Sequence, residues 1–278
     1  MYKALAPGCI GHGKSFKESA AAAAKAGYEG YWFDIFGDFK IPAEETLELL
    51  NKHNLRAAGF SFPVEYRKDR ETFDEGMKNF AGQCDYAAKI GANRSATWIL
   101  PMHPTLDYKE NFELHANRLR EACVVMKEYG IIFGMEFVGT PKIRKNAKHV
   151  FIYNLDQMLE LCDVIGTGNA GLLLDSWHWD MAGQVKDDFA KIKSPGQIAL
   201  AHINDAPEGV PADEHEDSVR GLPGSTGVLR IAEFFDGLKS VGYEGPVLCE
   251  PFVKCLSEMP FEQALETVMA SMKKVWPA

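Results

Sequence analysis

The chain has no apolar run approaching the roughly 18 residues that a membrane-spanning helix needs. Residues 1–13 lack both the basic patch and the apolar stretch of a secretory leader, so a cytoplasmic location is expected. Basic charge is in short supply: 30 Lys and Arg stand against 39 Asp and Glu, a formal net charge of −9. That balance argues against a nucleic-acid partner, because affinity for a phosphate backbone rests on cationic surface that displaces counterions. The six cysteines, Cys9, Cys84, Cys123, Cys162, Cys249 and Cys255, include no Cys-x-x-Cys pair. Apolar contexts such as Ala122-Cys123-Val124 point to reduced, mostly buried thiols rather than a zinc cluster or disulfide framework. No break in composition marks a linker, and nothing is of low complexity beyond the alanines at 20–24.

What is present is ordinary in bulk and ordered in detail. Hydrophobic residues make up 46% and charged residues 25%, proportions of a soluble protein with a sizeable core. Short apolar runs alternate with amphipathic stretches from end to end. The runs at 2–6, 30–35, 56–60, 94–99, 131–137, 170–174, 198–204 and 246–250 read as strands. The fifth, sixth and eighth are nearly unbroken apolar runs, as parallel strands covered on both sides should be. Between them, 16–26, 43–53, 70–90, 108–129, 154–165, 187–192 and 228–241 read as helices, and 261–275 closes the chain. Gly27, Gly91, Gly130 and Gly242 follow helical stretches where a left-handed cap is wanted, and Asn154 precedes one as an N-cap. Eight βα units in 278 residues predict a single (β/α)₈ TIM barrel spanning 1–278, close to the roughly 250 residues typical of that fold.

Chemistry in such a barrel sits at the C-terminal ends of the strands. Four successive ends in the second half read Met135-Glu136-Phe137, Leu174-Asp175-Ser176, Ala201-His202-Ile203 and Cys249-Glu250-Pro251. Each places a metal-ligating side chain where an apolar strand emerges. Taken singly, Glu136 or Glu250 reads as a rim carboxylate paired with a basic residue, His202 as a structural histidine, and Asp175 as a helix cap. Together, three carboxylates and one imidazole suit one divalent ion: Mn²⁺, Mg²⁺, Co²⁺ or Zn²⁺.

At these positions the sequence resembles the xylose isomerase-like superfamily of sugar isomerases and epimerases, with its nearest likeness in the inosose (2-keto-myo-inositol) isomerase branch. The segments that carry it are Glu136-Phe137-Val138-Gly139, Leu174-Asp175-Ser176-Trp177-His178 with Met181-Ala182-Gly183, and His202-Ile203-Asn204-Asp205. Asp213-Glu214, Arg220, Pro223-Gly224, Gly227, Gly242-Tyr243 and Glu250-Pro251-Phe252 complete them; the first 130 residues agree only in rhythm. The resemblance implies that Glu136, Asp175, His202 and Glu250 hold the metal and that His178 and Arg220 touch the substrate. It also implies a small-molecule sugar or cyclitol substrate; a homo-oligomer is compatible with the sequence. His178 lies three residues past Asp175 in a βα loop, and Arg220 lies in the long connection 207–227, where an acidic neighbour could equally claim it.

The chemistry expected is proton transfer next to the carbonyl of a polyhydroxy ketone, through an enediolate whose charge the metal stabilises, with Glu136 and Glu250 as the acid–base pair. The same site could dehydrate a related keto-polyol. Trp32, Phe60 and Trp98 are candidates for an apolar wall. Three other classes compete. Gly8-Cys9-Ile10-Gly11-His12-Gly13-Lys14-Ser15 satisfies the P-loop pattern between a strand and a helix. In a barrel the same stretch is the first βα loop, with Gly11 and Gly13 making its turns and His12 turned toward a substrate. A DNA-repair endonuclease of this fold needs a basic groove that the charge denies, and a non-catalytic sugar-binding barrel needs only the cavity.

Overall fold

A computed structural model describes residues 1–278. Eight strands form a closed barrel: β1 (Tyr2–Leu5), β2 (Gly30–Phe33), β3 (Arg56–Ser61), β4 (Arg94–Ile99), β5 (Ile132–Phe137), β6 (Ala170–Asp175), β7 (Ile198–Ile203) and β8 (Pro246–Cys249). All neighbours run parallel, and Tyr2 pairs with Pro246 to close the ring. Around it lie α1 (Phe16–Ala26), α2 (Ala43–His53), α3 (Arg70–Lys78), α4 (Phe80–Lys89), α5 (Tyr108–Glu128), α6 (Leu155–Ile165), the short α7 (Ser176–Met181), α8 (Ile231–Ser240) and α9 (Phe261–Val275). No helix is long and apolar enough to cross a membrane.

The alternation of side chains along a strand builds two cores. Leu172 and Leu174 of β6 point outward into a cluster of 64 buried residues shared with the helices, whereas Leu173 points inward. The inward set is small: Tyr2, Ala4, Trp32, Ala58, Ala96, Leu173, Leu200 and Leu248. Continuing the period of two past Leu173, Leu200 and Leu248 arrives at Asp175, His202 and Glu250. Three prospective ligands thus point inward because the residues two places before them do.

The structure departs from the sequence reading in places. The helix expected over 70–90 breaks at Asn79, which ends α3 and starts α4 at φ −100° and ψ −3°; asparagine's side chain competes for backbone groups and favours such junctions. The stretch expected as a helix at 187–192 is a 3₁₀ helix, Lys186–Lys191. A small antiparallel ribbon, Met102–His103 against His149–Val150, ties together the loops after β4 and β5.

Candidate metal centre at the mouth of the barrel

Glu136, Asp175, His202 and Glu250 converge at the C-terminal ends of β5 to β8. One potential ligand atom from each lies within 4.8 Å of every other. His202 Nδ1 faces all three carboxylates, 3.5 Å from Glu250 Oε2 and 3.9 Å from both Glu136 Oε1 and Asp175 Oδ2. Glu136, Asp175 and His202 are buried, and Glu250 keeps 20% of its side chain exposed.

Asp175 is both a cap and a candidate ligand. Its Oδ1 accepts from Trp177 N at 2.7 Å, opening α7, and from Asn204 Nδ2 at 3.0 Å; its Oδ2 accepts from Arg220 Nη1 at 2.7 Å. Arg220 Nη1 also reaches Glu250 Oε2 at 3.2 Å, while Nη2 donates to Asp217 Oδ1 at 2.7 Å. Burial opposes the guanidinium's charge, but Asp175, Glu250 and Asp217 hold it firmly protonated. The His178 ring packs beside it, with Nδ1 accepting from Gly139 N at 3.2 Å. Burial, reinforced by the Arg220 charge, holds His178 below the usual imidazole range.

Electrostatics separates the two glutamates. Burial, with Asp175 and Glu250 nearby, drives Glu136 well above the usual carboxylate range. Burial works in the same direction on Glu250, but His202, Arg220 and His178 outweigh it and pull its pKa down to about 2.

The donor set fits a dication. Glu136 Oε1 and His202 Nδ1 are buried without a hydrogen-bond partner, although they face each other. Buried polar atoms are rarely left so, and both are good ligand atoms. Tetrahedral bonds of about 2.0–2.2 Å imply ligand–ligand edges of about 3.3–3.6 Å, a little inside the spacings around His202 Nδ1.

The centre opens onto a cavity of about 690 Å³. Glu136, His202 and Glu250 line it together with Cys9, His12, Trp32, Ser61, Phe62 and Trp98. Of the expected aromatic wall, Trp32 and Trp98 are in place, but Phe60 is not. It is wholly buried in the outer core against Phe39, because the register of β3 shifts by one residue between Ala57 and Gly59 and breaks the alternation that Ala58 would set, and Ser61 and Phe62 line the cavity instead. His178 and Arg220 do not line the cavity; they stand behind Asp175 and Glu250. The sequence reading did not assign Asn204 and Asp217, which steady Asp175 and Arg220; Asn204 stands two residues after the strand-end His202, which was an available signal, whereas Asp217 lies in the irregular loop three residues before Arg220.

The P-loop-like stretch is the first βα loop. Residues Pro7–Ile10 form a 3₁₀ turn, and Gly11 alone of the two expected glycines takes a positive φ, +79°. Backbone donors at the start of α1 that would cradle a phosphate are already taken: Asp38 Oδ1 accepts from Phe16 N at 2.5 Å and Glu18 Oε2 from Ser15 N at 3.0 Å. His12 lines the cavity, with Nε2 2.9 Å from Leu256 O.

Residues 20–275 match the family described as Xylose isomerase-like TIM barrel. The chain belongs to that family. An inosose isomerase of Halalkalibacterium halodurans is 29% identical over 200 residues, covering 72% of this chain and 67% of the relative. An L-ribulose 3-epimerase of a Methylomonas species is 24% identical over 245 residues, 85% of this chain and 78% of its own. A solved structure of the IOLI protein, with a bound zinc atom, superposes at a TM-score of 0.82 with 20% identity, covering 99% of this chain and 98% of that one. At that identity the likeness establishes the fold.

Proposed function

We propose that this xylose isomerase-like barrel is a cytoplasmic, divalent-cation-dependent isomerase or epimerase of a polyhydroxy ketone, either an open-chain ketose or a cyclic inosose. The observation that carries the reading is the pair of orphaned ligand atoms, Glu136 Oε1 and His202 Nδ1, set among Asp175 and Glu250 beside a cavity of about 690 Å³. The relatives named for inosose isomerisation and ribulose epimerisation support the reaction class.

Glu136, Asp175, His202 and Glu250 would hold the ion, whether Mn²⁺, Mg²⁺, Co²⁺ or Zn²⁺. When bound, such an ion supplies Lewis acidity toward the carbonyl and hydroxyl oxygens of the substrate. The remaining chemistry belongs to the chain. Glu136 and Glu250 enter the cavity from β5 and β8, which β6 and β7 separate in the ring, so they approach a substrate from different sides. One carboxylate takes the proton from the carbon next to the carbonyl. Its return to the opposite face of that carbon gives the epimer, and its delivery to the neighbouring carbon gives the isomer. Trp32, Phe62 and Trp98 offer an apolar surface to the C–H face of the substrate and keep water from the deprotonated carbon. Arg220 serves the substrate through Asp175 and Glu250, which it braces, and His178 through Arg220, beside which it packs; direct contact requires Arg220 Nη1 to turn from Glu250 into the cavity.

Turnover of a ketose and inosose panel in D₂O, followed by NMR, tests the proposal. Deuterium should enter at a carbon next to the carbonyl, and Glu136→Gln and Glu250→Gln should abolish conversion. Conversion with neither solvent exchange nor intramolecular proton transfer would indicate hydride movement and overturn the two-glutamate chemistry.

A further inference from the structure

Apart from glycine, Asn54 and Phe252 are the residues with positive φ, +53° and +46°. Asn54 ends α2 as a left-handed cap, a role that asparagine fills readily. Phe252 has no such excuse. It follows Glu250-Pro251 at the barrel mouth, and a side chain at that φ crowds its own backbone. Nor does the core account for it, since Phe252 is 45% exposed and belongs to neither hydrophobic cluster.

What the conformation achieves is contact with Arg220. The Phe252 ring centroid lies 4.7 Å from Arg220 Cζ, and the buried Trp177 ring lies 5.3 Å from the same atom. In its own plane the guanidinium is committed to Asp175 Oδ2, Glu250 Oε2, Asp217 Oδ1 and the Asp217 carbonyl. Hydrogen bonds of that kind fix its direction but resist tilting poorly. The Phe252 ring, closer than Trp177, adds a restraint of another kind and a favourable cation–π contact.

We propose that Phe252 is a positioning residue: its left-handed backbone lays the ring on Arg220, and the guanidinium so clamped holds Asp175 and Glu250 in the arrangement that receives a cation. The inference rests on the metal site proposed above but is independent of which reaction that site performs. Strain at a functional position, spent on preorganisation, is a recurrent device.

Calorimetric titration of Mn²⁺ and Zn²⁺ into metal-stripped protein is the test. Phe252→Tyr keeps an aromatic face and should bind within about twofold of wild type. Phe252→Leu keeps apolar bulk and the backbone cost without a π face, and Phe252→Gly removes both side chain and strain. Each of these two should bind roughly tenfold more weakly, as when a partner that orients a ligand is lost. In an Arg220→Lys background, Phe252→Leu should cause no further loss, because coupled residues fail to add. Wild-type affinity in Phe252→Leu, or full additivity with Arg220→Lys, overturns the clamp. Uptake of no cation by the wild type overturns both the clamp and the metal site. The expected order of affinities without turnover of any keto-polyol leaves the clamp standing and removes only the proposed reaction.

Discussion

Removal of the Asp205 carboxylate should unfasten the loop that delivers Arg220. Asp205 is fully buried, and its two oxygens accept four backbone N–H groups: Ala206 at 2.9 Å and Leu229 at 3.1 Å on Oδ1, Thr226 at 3.0 Å and Gly227 at 2.8 Å on Oδ2. The main chain of Asp205 also pairs in both directions with Gly221, next to Arg220. Thr226 and Gly227 are exposed and can turn to water, whereas Ala206 and Leu229 are buried and cannot. A buried donor left unpaired costs about 1–3 kcal/mol, so Asp205→Ala should lose about 3–5 kcal/mol, counting two stranded donors and part of the charge-assisted bonding to the others. Asp205→Asn should fare little better, because its amide nitrogen must confront two N–H donors. Burial would raise this carboxyl's pKa, but its backbone donors outweigh burial and hold it below its ordinary 3.8. The sign follows: the folded state binds the proton less readily than the unfolded chain, so the contribution is present above pH 3.8 and lost as pH falls through the folded value. Urea unfolding at neutral pH measures the loss, and amide exchange at Gly227 reports the loop directly. An Asp205→Ala protein within about 1 kcal/mol of wild type would refute the reasoning, since stranding even one buried donor costs that much.

The metal centre, a buried histidine and one close approach of backbone supply the other predictions. Wild-type protein should carry about one divalent ion per chain, and Asp175→Ala or His202→Ala should lose most of it; equal contents by elemental analysis would sink the site. Burial lowers the pKa of His115 from 6.5 to about 4. Between those values the unfolded chain binds a proton that the folded state refuses, so stability should fall by about 3 kcal/mol as pH drops from above 6.5 to about 4. His115→Leu should flatten that part of the urea-midpoint profile, and an unchanged slope would assign the acid sensitivity elsewhere. At Gly139 an added Cβ would lie 2.1 Å from His178 O and 3.0 Å from Ala182 N. Gly139→Ala should therefore cost about 3 kcal/mol or more, by pushing α7 away from β5; a wild-type melting temperature would show that the two segments separate freely.

The barrel was legible because its strands are short, apolar and evenly interleaved with amphipathic helices. Periodicity reports which residues must be covered, and in β6 and β7 every residue is buried, so the signal is nearly free of noise. Where local propensity is weak the reading slipped. Asn79 divides a helix that the hydrophobic pattern alone would continue, and the 3₁₀ helix at Lys186–Lys191 stands where a weak pattern suggested α-helix. Phe60 shows a different limit. Placing it at a strand end was correct, but its side is set by the register shift between Ala57 and Gly59, which leaves Ala58 inward and Phe60 outward and which no hydrophobic period announces.

The centre itself divides along the same line. Asp175, His202 and Glu250 could be read because each lies two residues beyond an inward-pointing leucine, Leu173, Leu200 and Leu248. Their convergence is a property of strands, and strands have a period. Arg220 has none. It sits in the largely irregular connection after β7, and its position depends on Asp205 fastening the base of the loop, Asp217 bonding its guanidinium and Phe252 covering that group. None of these partners is related to Arg220 by a repeat that runs through β7. A sequence reading could therefore name Arg220 as a residue of the site but could not see that it stands behind the carboxylates. That placement changes the charge arithmetic of the centre. Three carboxylates gathered around one imidazole carry a formal −3 when ionised; the buried arginine against two of them offsets one charge, Asp217 on the same guanidinium restores it, and the net negative charge that remains favours a divalent cation. The clamp on Arg220 and the ligand set are then parts of one electrostatic unit, and a change that releases the guanidinium should be felt first in cation affinity.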